Sequence, residues 1–116
     1  MSTVPLQVTF RDMEPSESIE AAIREKLDKL GQFGRIERCR VMVECPHNHH
    51  HQNGAEYHVR IELFVPGSEL VVAHQGQNDG SHADVNVALR DAFRAARREL
   101  ESYTHKRRGQ VKRHSL

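Results

Sequence analysis

The chain has no tryptophan, four phenylalanines, two tyrosines and two cysteines among its 116 residues. Two cysteines do not build a disulfide framework. Cys39 and Cys45 fall six residues apart on one predicted strand, a span of roughly 20 Å, whereas a disulfide needs Cα atoms within about 7 Å. They are read as reduced core thiols, which suits a cytosolic protein. No run approaches the roughly 18 apolar residues that cross a bilayer. Met1 to Pro5 show no basic region leading into an apolar stretch, so no secretory leader is expected and the cytoplasm is the expected compartment. No Gly-x-Ser-x-Gly, phosphate-cradling glycine loop, His-Glu-x-x-His or Cys-x-x-Cys occurs, and no catalytic role is expected. At 13.3 kDa the chain has the length of one domain, without a second one to close a deep cleft.

What the chain does have is charge, unevenly placed. Residues 1–81 hold 8 basic and 12 acidic side chains, and residues 82–116 hold 9 basic and 4 acidic ones. From Tyr103 onward there are five basic residues and no acid. This asymmetry points to an anionic partner for the last helix and the tail, with nucleic acid the first candidate and a merely solvated helix face the bland alternative.

Hydrophobic periodicity orders the elements. Leu6, Val8 and Phe10 alternate with polar residues as a half-buried strand. Ser16 or Ser18 can cap a helix whose apolar positions are Ile19, Ala22, Ile23, Leu27 and Leu30, and Gly31 and Gly34 end it. Cys39, Val41, Val43 and Cys45 form the inward face of a second strand, with Arg38, Arg40, Met42 and Glu44 outward. A third strand over about 56–65 points Tyr57, Val59, Ile61, Leu63 and Val65 inward. Pro66-Gly67-Ser68 makes a hairpin to a fourth strand over about 70–74. The last helix is predicted over about 83–106, with Val85, Ala88, Leu89, Ala92, Phe93, Ala96, Leu100 and Tyr103 as its core stripe and Gly109 as its latest end.

The order is therefore β-α-β-β-β-α. A four-stranded sheet with one polar face buries the other most economically under both helices, giving an α+β two-layer sandwich that resembles a double-stranded-RNA-binding domain. Arg90, Arg94, Arg97 and Arg108 share a narrow arc of the last helix, almost opposite the core stripe. If both helices cover one sheet face, this arc and Lys26 and Lys29 of the first helix form a basic groove. Arg98 lines the last helix with Arg90, Arg94 and Arg97 beside this groove, and Lys106, Arg107, Arg108, Lys112 and Arg113 extend the trail. Such a surface meets phosphates. Aromatics for stacking bases are scarce: only Phe64 faces outward on the sheet, which disfavours a sheet-stacking reader of single strands.

Four of the nine histidines, His47, His49, His50 and His51, sit in one loop beside Cys45. Imidazoles bind zinc, nickel or copper. A defined site would need further ligands, such as His58 or His74 from neighbouring strands, and consecutive histidines on a loop otherwise bind metal loosely. The expectation is no metal site, with these four as the candidates if there is one, and a solvated or RNA-facing loop instead.

The opening Leu-Gln-Val-Thr-Phe-Arg-Asp, the segment Lys26-Leu27-Asp28-Lys29-Leu30, the run Asp84-Val85-Asn86-Val87-Ala88-Leu89 and Arg97-Arg98-Glu99-Leu100 occur in the order and spacing of one known family. Together they resemble the short ribosome hibernation-promoting factor and ribosome-associated inhibitor family, also called the sigma-factor modulation protein family, over about residues 5–106. The resemblance implies a non-catalytic protein without cofactor, membrane contact or small-molecule substrate. It implies binding to the small ribosomal subunit and its ribosomal RNA, in the channel of messenger and transfer RNAs, so that initiation is blocked and idle ribosomes are preserved under stress. Lys26, Lys29, Arg98 and Lys106 match family basic positions; Arg90, Arg94, Arg97, Arg107 and Arg108 come from the charge pattern. The chain is expected to be a short form, with residues 1–106 as one ribosome-binding domain and 107–116 as a basic, disordered tail. It departs from the family at Asn86, where tyrosine is usual, and at Ala95 and Ser102, where lysines are usual. Its histidine-rich loop is also longer than in the commonest members. Two other readings stand beside this one: a double-stranded-RNA-binding module, and a metal-binding protein built on the histidine loop.

Overall fold

A computed structural model describes residues 4–46, 56–74 and 84–114, with side chains as far as Gly109. The elements are β1 (Leu6–Arg11), α1 (Glu17–Leu30), a 3-10 turn at Gly31–Phe33, β2 (Arg38–Glu44), β3 (His58–Val65), β4 (Ser68–His74) and α2 (Val85–His114). The strands form one sheet in the order β1-β2-β3-β4. β1 runs parallel to β2, so α1 serves as the crossover that a parallel pair requires. β2–β3 and β3–β4 are antiparallel.

Strict alternation decides which face is buried. Cys39, Val41 and Val43 on β2 and Val59, Ile61, Leu63 and Val65 on β3 are at most 3% exposed. The intervening Arg38, Arg40 and Arg60 face water. Both helices cover the inward face, with Ile23, Leu27 and Leu30 from α1 and Ala88, Leu89, Ala92, Phe93, Ala96 and Leu100 from α2 in a single core. The expected two-layer α+β sandwich is what forms. Cys39 and Cys45 are both buried and are not joined in a disulfide, and among the described residues no helix is long and apolar enough to cross a membrane.

Local chemistry sets the helix ends. Ser16 caps α1, its hydroxyl accepting from the Ile19 backbone N–H at 3.3 Å, and Glu17 and Glu20 complement the positive end of the helix dipole. Asp84 starts α2 by accepting from the Asn86 N–H at 2.8 Å. The expected end of the last helix at Lys106, or at Gly109 at the latest, is corrected: α2 runs to His114. A single glycine costs a helix only about 1 kcal/mol relative to alanine. Gly109 is flanked by arginines, a glutamine and a lysine, which are good helix formers, so propagation carries through it. At Pro66-Gly67, Gly67 has φ of 82°, the left-handed geometry that a tight turn asks of its second central residue.

The connection from α1 to β2 passes tightly under α2. A Cβ at Gly34 would lie 2.5 Å from Thr104 Oγ1 and 2.9 Å from Leu100. Only glycine leaves room for these α2 side chains to pack against the Gly34 backbone, and that packing brings Phe33 up beside the middle of α2.

Candidate nucleic-acid interface

On the outer side of the helix layer, α1 and α2 lie alongside each other and leave a shallow groove of about 190 Å³. Lys26 and Lys29 come from one wall, Arg90, Arg94 and Arg97 from the other, and Leu30, Phe33 and Phe93 form an apolar floor. Five cations thus surround one hollow. They are there because helical periodicity turns the faces opposite both apolar stripes outward, and because Gly34 packs the 3-10 turn against α2.

The floor holds the walls in place. The Arg97 guanidinium carbon stands 4.0 Å from the centroid of the Phe33 ring, a cation–π contact that orients the side chain. Arg97 also donates through Nε to Glu101 Oε1 at 3.1 Å. Lys29 pairs with Glu25 at 3.4 Å and Arg90 with Asp91 at 3.2 Å. Each of these pairs is at least partly exposed, so it gives little stability and can be exchanged for a phosphate. Lys26 and Arg94 have no carboxylate within ion-pair distance among the described residues. The groove is therefore a cationic strip with two unneutralised charges and three labile ones, which suits a phosphate backbone rather than a compact buried anion.

The other expected contact residues distribute differently. Arg98 is exposed on α2 but does not line the groove, and Lys106 and Arg108 are exposed further along α2. Arg107 turns towards the β3–β4 turn, where its guanidinium donates to the Pro66 carbonyl and, at 3.3 Å, to the Tyr103 hydroxyl. Lys112 and Arg113 continue the helix, their side chains outside the described residues. The groove floor, Phe33 above all, was missed in the sequence. Its only signal there is an aromatic placed between two glycines just after a helix.

His47, His49, His50 and His51 lie outside the described residues. His58 and His74 stand at the same end of the sheet but on opposite faces, since His74 pairs in register with inward-facing Val59 while His58 faces out beside Glu44, 3.5 Å away. Among the described residues no group of three potential metal ligands converges. Phe64 is outward-facing and half-buried, as expected, with the Arg38 guanidinium 4.1 Å from its ring centroid.

The comparisons with known proteins agree with this architecture. The family model described as sigma 54 modulation protein / S30EA ribosomal protein matches residues 6–108. The N-terminal domain of Thermus thermophilus Protein Y superposes with a TM-score of 0.67 at 16% identity, covering 87% of this chain and 99% of that one. A ribosomal subunit interface protein from Coxiella burnetii superposes with a TM-score of 0.67 at 12% identity, covering 88% of this chain and 99% of its own. At such identities these two structures speak for the fold. No curated protein matches the sequence significantly.

Proposed function

The chain belongs to the sigma 54 modulation protein / S30EA ribosomal protein family, and from that premise we propose that it is a non-catalytic, ribosome-associated inhibitor of translation. It binds ribosomal RNA of the small subunit in the channel used by messenger and transfer RNAs and promotes hibernation of idle ribosomes under stress. The observation that carries this reading is the groove in which Lys26, Lys29, Arg90, Arg94 and Arg97 converge from two helices. A rigid strip of this kind recognises a folded RNA by the placement of its phosphates, without unstacked bases. It asks nothing of a nucleophile, a metal or a cofactor. The fold shared with a ribosomal subunit interface protein supports the same partner.

Inhibition follows from occupancy. A domain seated on the channel's phosphates excludes an RNA that needs the same space, and the block is reversible because the contacts are ionic and exchange with salt. The test is co-sedimentation of the protein with ribosomal subunits through a gradient at low and raised salt, with free duplex RNA as competitor. Saturable migration with the small subunit that weakens with salt and survives the duplex is the expected result. Migration lost to an equal amount of free duplex would instead identify a general double-stranded-RNA binder. No migration at low salt would overturn the proposal.

A further inference from the structure

The groove occupies the helical side of the molecule, yet the opposite side also carries arginines. On the solvent face of the sheet, Arg11, Arg40 and Arg60 come from three adjacent strands and rim a hollow of about 400 Å³, with Thr9 and half-buried Met42 between them. The register explains the cluster. Thr9, Met42 and Arg60 lie side by side in one row, and Arg40 faces Glu62 in the next, so Arg40 and Arg60 stand diagonally across β2 and β3 within reach of each other's partner. Glu62 receives both: Arg60 Nε at 3.1 Å and Arg40 Nη1 at 3.7 Å. One carboxylate, 19% exposed, thus holds two guanidinium groups that are each about half exposed.

This sharing has two consequences. The hollow keeps a positive excess, because a single carboxylate cannot neutralise two arginines. Both forks are also pre-oriented, since a guanidinium offers five donors and the contacts to Glu62 leave several of them directed at solvent. Arg11 is held more loosely, 3.9 Å from Glu44. Rigid forks with free donors on an open, flat surface match phosphate oxygens along a strand of nucleic acid.

We propose that this sheet-face hollow is a second RNA-backbone contact, so that the domain is clasped between RNA on both sides. The inference rests on the reading of the helical groove as a ribosomal RNA contact and extends it to the opposite face. The two cationic surfaces lie on opposite sides of a fold that is two layers thick. An excess of about one charge would hold a free polyanion only weakly. Linked rigidly to a groove already in place, the same contact acts at high effective concentration and adds to the affinity of the whole.

The experiment measures the salt dependence of small-subunit association for the full chain, in wild type and in three sets of variants. Arg40→Gln with Arg60→Gln is expected to lower the log–log slope by about 1.5, at roughly 0.7–0.9 per phosphate contact, while Arg40→Lys with Arg60→Lys keeps it. Glu62→Gln, which removes the neutralising charge while its amide oxygen can still accept from a guanidinium, is expected to tighten binding several-fold. This last variant keeps the proposal open to refutation if the double glutamine variant does not fold. An unchanged slope in the folded glutamine variant, or unchanged affinity in Glu62→Gln, overturns the sheet-face contact. Arg94→Gln measured in parallel separates the two readings: a slope that falls for Arg94→Gln alone leaves the groove standing, and no response in any variant removes both. Saturable binding of inorganic triphosphate that the glutamine pair abolishes would assign the hollow to a free polyphosphate and overturn the RNA assignment.

Discussion

The Tyr103 hydroxyl donates to the Pro66 carbonyl at 2.5 Å, joining α2 to the β3–β4 turn across 37 residues of chain. Arg107, one helical turn further on, donates to the same carbonyl. The turn's exposed peptide oxygen is thereby satisfied twice, and the C-terminal half of α2 is tied to the far end of the sheet. Tyr103→Phe keeps the ring in the core and removes only the hydroxyl, so a loss of about 1 kcal/mol is expected. For a domain of this size that corresponds to a fall of about 4–8 °C in melting temperature. Calorimetry of the single variant checks it.

Arg107 has a different expected role from the arginines of the groove. Its guanidinium is already committed to Pro66 and Tyr103, and it lies outside the groove lining. Arg107→Gln should therefore lower thermal stability, as Tyr103→Phe does, while leaving the salt slope of small-subunit association within error of wild type. A slope reduced as far as that of Arg94→Gln would show that Arg107 leaves the turn to meet RNA.

Among the described residues Arg94 is the groove arginine without an ion-pair partner, and Arg98, outside the groove lining, is exposed one helical turn further on. Arg94→Glu with Arg98→Glu should abolish ribosome association with circular dichroism unchanged, because neither side chain enters the core. Arg94→Glu alone should account for most of the loss. Unchanged association in the double variant would remove the groove from consideration.

How much of this was legible in the sequence depends on the range over which each feature is determined. Cys39, Val41 and Val43 gave away β2 because one face of the sheet is dry and the other wet, which imprints a period of two on neighbouring residues. The stripe from Ala88 to Leu100 imprinted the helical period in the same way, and it placed Arg90, Arg94 and Arg97 on the outer side. Phe33 as a floor and the sharing of Glu62 between Arg40 and Arg60 depend on helix contact and strand register, which no local pattern encodes. The tie from Tyr103 and Arg107 to Pro66 spans 37 and 41 residues and was invisible for the same reason. Gly109 misled because a glycine is a helix stop only when a left-handed cap or tertiary contact uses it. Here a Cβ at that position would meet nothing within 4 Å.

Gly34 tests the close approach that supports the groove. Gly34→Ala would push a methyl group against Thr104 Oγ1 and Leu100, both nearer than a real Cβ tolerates. Overpacking of this kind costs about 1–3 kcal/mol. The expected result is a lower melting temperature together with weaker ribosome association, since displacing the turn also moves Phe33 from beneath Arg97. Gly31→Ala, where a Cβ meets nothing within 4 Å, is the matched control and should change neither.

Cys39 gives the fold a dependence on alkaline pH. Burial pushes its thiol up to about 12, against an ordinary value of 9.0; the charge of Arg24 partly offsets this and that of Glu62 adds to it. A pKa raised in the folded state means that the proton is held more tightly there than in the unfolded chain. The corresponding stability is fully present below about pH 9 and is lost progressively as the pH climbs from 9 towards 12, at up to about 1.4 kcal/mol per unit. Burial raises Cys45 and Tyr57 in the same direction. Urea midpoints at pH 8 and pH 10.5 should therefore fall steeply in wild type and less steeply in Cys39→Ala, although the alanine variant starts about 1 kcal/mol lower from the cavity it creates. Comparing the two proteins at both pH values cancels the titration of the lysines they share. An identical alkaline loss in both would show that the Cys39 proton has no part in it.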